Sequence, residues 1–268
     1  MSTATVGVIG AGRMGLPIIG HLARKGFETF VHDIDAGKRK AIEERGARWA
    51  TDNAVLAGQC DVVLVCVGYD DELRQLFPQL AAKAKPGAIY AILSTVNPKT
   101  VQELATSAPN DVAVVDATMC RGGRAADEGT LLCFVGGEVE MVERLRPVLA
   151  AFASDIVHTG PAGSAQVAKA ANNLILWACL VADHEALALA SRFGLDVDKL
   201  RKALEISSAS NDALEKWGTQ TMAWADDDME IVAEMAREHG LKLPQSEVTR
   251  EICRALKPKR YRLDQYGK

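Results

Sequence analysis

The stretch VGVIGAGRMG, residues 6–15, decides how the first half of this chain folds. A short apolar, strand-like run leads directly into three glycines, Gly10, Gly12 and Gly15, and an amphipathic segment follows. Glycines at this spacing allow a tight turn, a close approach to the backbone and packing of a helix on the strand. The stretch therefore predicts a strand, a glycine loop and a helix whose first amides are free to bind an anion.

A second strand-like run supplies the acidic residue that accompanies such a loop. FETFVHD ends at Asp33, 18 residues after Gly15, as expected for a carboxylate that binds a ribose diol. We predict that a dinucleotide binds to Asp33 and to the loop residues Gly10, Ala11, Gly12, Arg13, Met14 and Gly15. Because a carboxylate repels a 2′-phosphate, NAD is favoured over NADP, although Lys38 and Arg39 lie near. An ordinary strand–helix turn with a capping aspartate is the alternative interpretation.

The sequence pattern changes near residue 162. Before it, six apolar runs of strand length alternate with helix-like segments, which predicts a Rossmann domain over residues 1–162 with a parallel sheet covered on both faces. From Gly163 the strand pattern ends, and Ser164 is predicted to cap a long helix that reaches Phe193. We therefore predict an α/β Rossmann N-terminal domain followed by an all-α C-terminal domain over residues 163–268, joined by a long interdomain helix.

Composition limits the classes of partner and location. The chain has 268 residues, 48% of them hydrophobic, and a formal net charge of −4, so no basic surface is expected for nucleic acid or an anionic membrane. Its longest apolar run, residues 174–182, is too short to span a bilayer. Six cysteines without CxxC pairing, and the lack of a signal peptide pattern, predict a cytoplasmic protein. The histidines have no metal-ligand spacing, so no metal site is predicted.

One lysine stands out in the second half of the chain. GPAGSAQVAKAANNLILW, residues 160–177, places Lys169 among small and apolar residues, and Asn173 lies one helical turn later on the same face. When a hydride leaves an alcohol carbon, the hydroxyl must lose its proton, and a poorly hydrated amine can accept it. A lysine whose side chain extends along an apolar helix to solvent explains the pattern equally well.

Three segments, in this order, resemble the β-hydroxyacid dehydrogenase family: GVIGAGRMGLP, DATMCRGGRAADEGTLLCFVGG and GPAGSAQVAKAANN. The resemblance covers nearly the whole chain. It implies that Lys169 is the catalytic acid or base and that Asn173 orients the substrate. The substrate carboxylate would be bound by Cys120, Arg121 and Gly122. The cofactor would be bordered by Cys66, Val67, Gly68 and Thr95. The family also implies a homodimer or tetramer formed through the helical domain.

The function that the resemblance implies is NAD(P)-dependent interconversion of a small 3-hydroxy acid and its semialdehyde or oxo acid. The substrate would be small and anionic. Two alternatives stay open: a reductase of another carbonyl or of an imine, and an NAD-binding sensor or assembly protein with little catalysis. The presence of both Lys169 and Asn173 argues against an imine reductase, because the imine-reducing relatives of this family generally have another residue in place of the lysine.

The chain also departs from the family pattern. Thr118, Cys120 and Arg121 stand where proline, serine and glycine are usual, and Asp227 stands where a lysine is usual. A guanidinium can bind a carboxylate, sulfonate or phosphate at two points, so we hypothesise that Arg121 selects a substrate with an extra or displaced anionic group. An arginine turned outward to solvent is an equally good interpretation.

Overall fold

The computed structural model describes residues 4–266, which form two compact units. The first unit ends at Lys169 and the second begins at Ala170. This division lies inside a long helix, seven residues beyond the predicted boundary at residue 162. The first turn of that helix therefore belongs to the first unit, together with the strands to which it is hydrogen-bonded.

The first unit contains an eight-stranded sheet. Its strands are β1 (Val6–Ile9), β2 (Thr29–His32), β3 (Arg48–Trp49), β4 (Val62–Val65), β5 (Ile89–Ile92), β6 (Ala113–Cys120), β7 (Leu131–Gly136) and β8 (Ala153–Gly160). Their order in the sheet is β3-β2-β1-β4-β5-β6-β7-β8. The order reverses between β1 and β4, and the crevice outside the carboxyl ends of the strands at such a point is where dinucleotides bind.

Helices cover this sheet. They are α1 (Gly15–Arg24), α2 (Arg39–Glu43), α3 (Asn53–Gln59), α4 (Asp70–Ala81), α5 (Pro98–Ser107), α6 (Gly122–Glu128) and α7 (Val139–Leu149). Successive residues of a strand point to opposite faces. Accordingly, Val8 and Leu64 enter one buried cluster, while Ile9 and Val65 enter another. The central strands β1, β4 and β5 are buried on both faces, and the predicted Rossmann domain is confirmed.

One pairing differs from the predicted parallel sheet. Strand β7 runs antiparallel to β6, whereas the other paired neighbours are parallel. The connection from β6 to β7 contains only the short helix α6 and a few flanking residues. A crossover to a parallel strand needs a dozen or more residues, so this shorter connection returns the chain in the opposite direction.

Within residues 170–266 the second unit consists of helices and the loops between them, with no strand. It contains most of α8 (Ser164–Arg192), followed by α9 (Val197–Leu204), α10 (Asp212–Glu215), α11 (Ala225–Glu238) and α12 (Pro244–Leu256). This confirms the predicted all-α region after a long helix. By length and composition alone α8 could cross a membrane, with mean hydropathy 1.5 over an 18-residue window. The apolar part of α8 is therefore longer than the run of residues 174–182 indicated. Core helices of globular proteins can be equally long and apolar, so this is weak evidence for a membrane span.

Candidate functional site

The three loop glycines have different surroundings. Gly10 has a φ of +96°, and a Cβ there would overlap the carbonyl oxygen of Cys66. A Cβ at Gly15 would overlap the carbonyl oxygen of Gly10, so α1 can start this close to the loop only with glycine. A Cβ at Gly12, by contrast, would meet no atom within 4 Å. The loop thus leaves open space above Gly12, which fits the approach of a pyrophosphate to the backbone.

The acidic residue predicted for the ribose lies against this loop. Asp33 directly follows β2 and is buried. Its Oδ2 accepts the N–H of Ala11 at 2.7 Å, and its Oδ1 accepts the N–H of Asp35 at 2.9 Å. The carboxylate therefore connects the end of β2 to the glycine loop, as a carboxylate that binds a dinucleotide at this position should.

Lys38 also contacts this carboxylate. Its ammonium lies 2.9 Å from Oδ2 of Asp33, whereas Arg39 pairs with the exposed Glu43 instead. Burial alone would raise the pKa of Asp33. The bonds from the Ala11 and Asp35 amides and from Lys38 outweigh burial and hold that pKa below its ordinary value. A cation therefore sits beside the carboxylate that was predicted to exclude a 2′-phosphate.

The predicted cofactor-bordering loops follow β4 and β5. The N–H of Cys66 donates to the Ile9 carbonyl at 2.8 Å, and burial raises the pKa of its thiol to about 11. The N–H of Val67 donates to Ser94 Oγ at 3.0 Å, and the N–H of Gly68 donates to the Glu72 carboxylate at 2.9 Å. The next loop holds Thr95, which is half-buried. Both loops thus lie at the carboxyl ends of adjacent strands, where a dinucleotide extends from β1.

Lys169 lies near the carboxyl end of β6. Its half-buried side chain donates from Nζ to the carbonyl oxygen of Met119 at 2.7 Å. Met119 directly precedes Cys120, which is buried and is the last residue of β6. The structure therefore brings the predicted catalytic amine to the start of the predicted substrate segment.

Arg121 and Gly122 continue this segment into α6, and both have positive φ angles, +79° and +74°. The guanidinium of Arg121 bonds Asp155 at 2.6 Å and Ser154 Oγ at 2.9 Å. These bonds occupy the group that was hypothesised to bind an extra anion. A role for Arg121 with substrate stays a prediction, and it requires that a substrate anion replace Asp155.

Asn173 follows Lys169 by one turn on α8. The side chain is 2% exposed, and its Oδ1 accepts a hydrogen bond from Asn172 Nδ2 at 3.1 Å. Its own Nδ2 is buried and has no hydrogen-bond partner within residues 4–266. A buried donor without a partner is rare, and a polar ligand atom would satisfy it. This fits the substrate-orienting role that the resemblance implies.

The groups that hold the start of α8 were not predicted from the sequence. Ser164 was predicted to cap this helix, but it is the first helical residue and its hydroxyl bonds Thr159 at 2.7 Å. The carboxylate of Asp116 instead accepts the N–H groups of Gly163 at 2.8 Å and Gln166 at 2.9 Å. The prediction of a Ser164 cap is therefore wrong, because a buried acid from β6 supplies that bond.

The family departure at Asp227 lies in the second unit. It is in the first turn of α11, between two other aspartates. One of these, Asp228, accepts a hydrogen bond from Trp177 Nε1 at 3.0 Å. Nearby in the chain, the ring of Trp217 packs against the ring of His184 with centroids 4.5 Å apart, whereas Trp224 is 46% exposed.

Comparisons with known proteins agree with this arrangement. Residues 5–160 match the family model described as the NAD binding domain of 6-phosphogluconate dehydrogenase. Residues 163–265 match the model described as NAD-binding of NADP-dependent 3-hydroxyisobutyrate dehydrogenase. The first unit therefore carries an NAD(P)-binding domain.

Relatives over most of the chain have oxidoreductase names. A probable mitochondrial 3-hydroxyisobutyrate dehydrogenase of Dictyostelium discoideum is 31% identical over 78% of this chain and 66% of its own length. An NAD-dependent L-serine dehydrogenase of Pseudomonas aeruginosa is also 31% identical, over 78% of this chain and 72% of its own.

A solved structure shares the fold. The 3-hydroxyisobutyrate dehydrogenase of Mycobacterium tuberculosis with L-serine superimposes with a TM-score of 0.88 over 95% of this chain and 94% of that one, at 22% identity. The family models, the relatives and the fold support an NAD(P)-dependent hydroxyacid dehydrogenase or a related reductase. The chain belongs to the β-hydroxyacid dehydrogenase family.

Proposed function

We propose that this enzyme interconverts a small 3-hydroxy acid and its semialdehyde or oxo acid, with Lys169 as the general acid or base. The observation that carries the proposal is the position of the Lys169 amine, 2.7 Å from the Met119 carbonyl at the carboxyl end of β6. The amine lies there beside the segment that the resemblance assigns to the substrate. When bound, the nicotinamide cofactor accepts the hydride in oxidation and supplies it in reduction.

The side chains near the amine have complementary roles in this proposal. In oxidation Lys169 takes the proton of the substrate hydroxyl, and in reduction it returns one to the forming alkoxide. The unsatisfied Nδ2 of Asn173 donates to the substrate. The backbone at Cys120 and Gly122 binds the carboxylate, while Arg121 contributes only if Asp155 releases it.

The names of the relatives suggest the substrate class. 3-Hydroxyisobutyrate and L-serine both have a primary alcohol on the carbon β to a carboxylate, and they name two relatives at 31% identity. We propose a substrate with this pattern. NAD is the proposed cofactor, with NADP accepted less well, because Asp33 faces the ribose position and Lys38 offsets only part of its charge.

The assembly and location are proposals as well. In the second unit, Ile175, Leu189 and Phe193 on and just after α8 are 61%, 62% and 77% exposed. Several large exposed apolar side chains along one helix are typical of a surface that is buried against another chain. We propose a cytoplasmic homodimer or tetramer formed through the helical unit.

The test is an oxidation assay with 3-hydroxyisobutyrate, L-serine and 3-hydroxypropionate, each with NAD and with NADP. Wild-type enzyme should oxidise at least one of them, and Lys169→Ala should lower kcat by about 1,000-fold or more, consistent with loss of a general base and its orientation. NADH affinity, measured by nicotinamide fluorescence, should change less than about 3-fold. Exposed Lys83→Ala is the matched control and should retain wild-type kcat.

A second candidate has one observation in its favour. Asp227 replaces the lysine that the family usually has, which would suit a cofactor-binding sensor or assembly protein with little catalysis. If wild-type protein binds NADH and oxidises none of the three acids, this second candidate replaces the first.

A further inference from the structure

We infer that Gln166 is a positioning residue that fixes the backbone around Thr95 relative to the amine of Lys169. Gln166 lies in the first turn of α8, three residues before Lys169, and is 1% exposed. Its carboxamide makes two hydrogen bonds to the loop after β5, one on each side of Thr95.

The two bonds form a two-point contact. Oε1 of Gln166 accepts the N–H of Val96 at 3.0 Å, and Nε2 donates to the carbonyl of Ser94 at 2.9 Å. A carboxamide offers both a donor and an acceptor, which neither a carboxylate nor an alkyl side chain does. The backbone at Thr95 therefore cannot shift relative to α8 without breaking at least one buried hydrogen bond.

The contact extends to the loop after β4. Ser94 Oγ accepts the N–H of Val67 at 3.0 Å and donates to the carbonyl of Val67 at 2.9 Å. The switch point is the place between β1 and β4 where the strand order reverses. Both loops lie on its β4 side, and Asp33 lies on the other side, after β2. A dinucleotide laid across this switch point places its second nucleotide on the β4 side. Gln166 thus holds the loops of the nicotinamide half.

The main chain at Gln166 is bonded to strand β6. Its N–H donates to Asp116, and the carbonyl of the preceding Ala165 accepts from the Thr118 hydroxyl at 3.0 Å. Asp116 and Thr118 belong to β6, the strand whose Met119 carbonyl accepts from Lys169. One residue therefore connects the element that carries the amine with the loops that border the nicotinamide.

This geometry matters because, in oxidation, the hydride leaves a carbon atom and the proton leaves the hydroxyl on that same carbon. A displacement of about 1 Å of a reacting group can cost roughly 100-fold in rate. The inference rests on the proposed function only for its kinetic consequence. Its structural part, that Gln166 sets the nicotinamide environment, can be measured without turnover.

The experiment compares Gln166→Met, which keeps the length of the side chain but removes donor and acceptor, with wild type. ADP-ribose, which lacks the nicotinamide, should bind within 2-fold of wild type. NADH should bind within about 5-fold, but the fluorescence enhancement of the bound nicotinamide should change. With 3-hydroxyisobutyrate or L-serine, kcat should fall 10- to 100-fold without movement of the pH profile.

Two further variants complete the design. Tyr90→Phe removes a buried hydrogen bond to the Leu80 carbonyl on the same strand that leads to Ser94, and should leave all these values unchanged. Gln166→Glu keeps the acceptor for Val96 but loses the donor to Ser94, and should change the nicotinamide fluorescence even if the methionine variant does not fold.

The inference is overturned if ADP-ribose and NADH affinities fall together, which marks a general structural role, or if the nicotinamide fluorescence of both variants equals that of wild type. Should wild-type enzyme oxidise neither acid, the proposed function fails. The ADP-ribose and NADH comparison then still decides the role of Gln166.

Discussion

Asp33 directly follows β2 and Asp116 lies within β6, and the surroundings of these two acids of one sheet differ. Each is a buried carboxylate that accepts two main-chain N–H groups. Asp33 also pairs with the Lys38 ammonium, whereas Asp116 has no ion pair within residues 4–266. The Asp33 carboxylate is bonded to the glycine loop, and the Asp116 carboxylate is bonded to the start of α8.

The different partners give the two acids opposite pKa directions. Burial raises the pKa of Asp116, and the amides of Gly163 and Gln166 only partly oppose it. Burial also acts on Asp33, but its amide bonds and Lys38 lower the pKa below the ordinary value. The comparison teaches that the depth of burial and a neighbouring cation together decide whether an amide-bound carboxylate favours its charged form.

The largest effect is expected at Asp116. Asp116→Ala leaves two buried amides without an acceptor and should lower the free energy of unfolding by about 3 kcal/mol. Thr118→Val, which removes only the bond to the Ala165 carbonyl, should cost about 1 kcal/mol. Urea denaturation measures both. Equal costs would mean that Asp116 contributes no more than an ordinary hydroxyl to the start of α8.

A second prediction concerns the glycine loop. Because Gly12 faces open space, Gly12→Ala should leave the free energy of unfolding within about 0.5 kcal/mol of wild type. Its methyl group would occupy the approach of the pyrophosphate, so NADH affinity should fall 10- to 100-fold, or about 1.4 to 2.8 kcal/mol. Fluorescence titration measures the affinity.

Gly58→Ala is the matched control for this variant. Gly58 lies in α3, where an added Cβ would meet its nearest neighbour at an ordinary 3.5 Å. NADH affinity should not change there. Unchanged affinity in Gly12→Ala would show that the open space over the loop is not the phosphate position.

The surroundings of these two acids also show what the sequence could reveal. The glycine loop and Asp33 were predictable because the hydrogen bond that joins them spans only 22 positions, within one strand–helix–strand unit. The predicted Rossmann sheet followed from apolar runs for the same reason. Strands β3 and β8 were missed: β3 has only two residues, and β8 is largely exposed, so neither has a continuous apolar pattern.

The start of α8 was less predictable. Lys169 was found from its apolar neighbours and the family resemblance, but Gln166 bonds Val96 and Ser94 from 70 and 72 residues away. A local pattern carries no information on such partners. One signal was available: Asp116 is an acid within the apolar strand VAVVDAT, and a buried acid must have hydrogen-bond donors nearby.

A smaller effect is expected at Lys38. Lys38→Met removes the cation beside Asp33, so NADPH should bind less well and NADH better, with a change of about 10-fold, or 1.4 kcal/mol, in the ratio of the two affinities. Arg39→Ala, which breaks only an exposed pair with Glu43, should leave the ratio unchanged. An unaltered ratio in Lys38→Met would mean that Asp33 alone sets the cofactor preference.

The smallest effect is the pH dependence of stability, because the contribution of each acid changes only between its unfolded and folded pKa values. The lowered pKa of Asp33 contributes stability above about pH 3.9 that is lost as pH falls through the folded value. The raised pKa of Asp116 gives the reverse: its contribution is complete below about pH 3.9 and is lost as pH rises through the folded value. Urea denaturation of wild type, Asp33→Asn and Asp116→Asn across pH 3 to 7 should therefore give difference curves of opposite slope. Slopes of the same sign would mean that the amide bonds and Lys38 do not outweigh burial at Asp33, since both acids would then titrate as burial alone dictates.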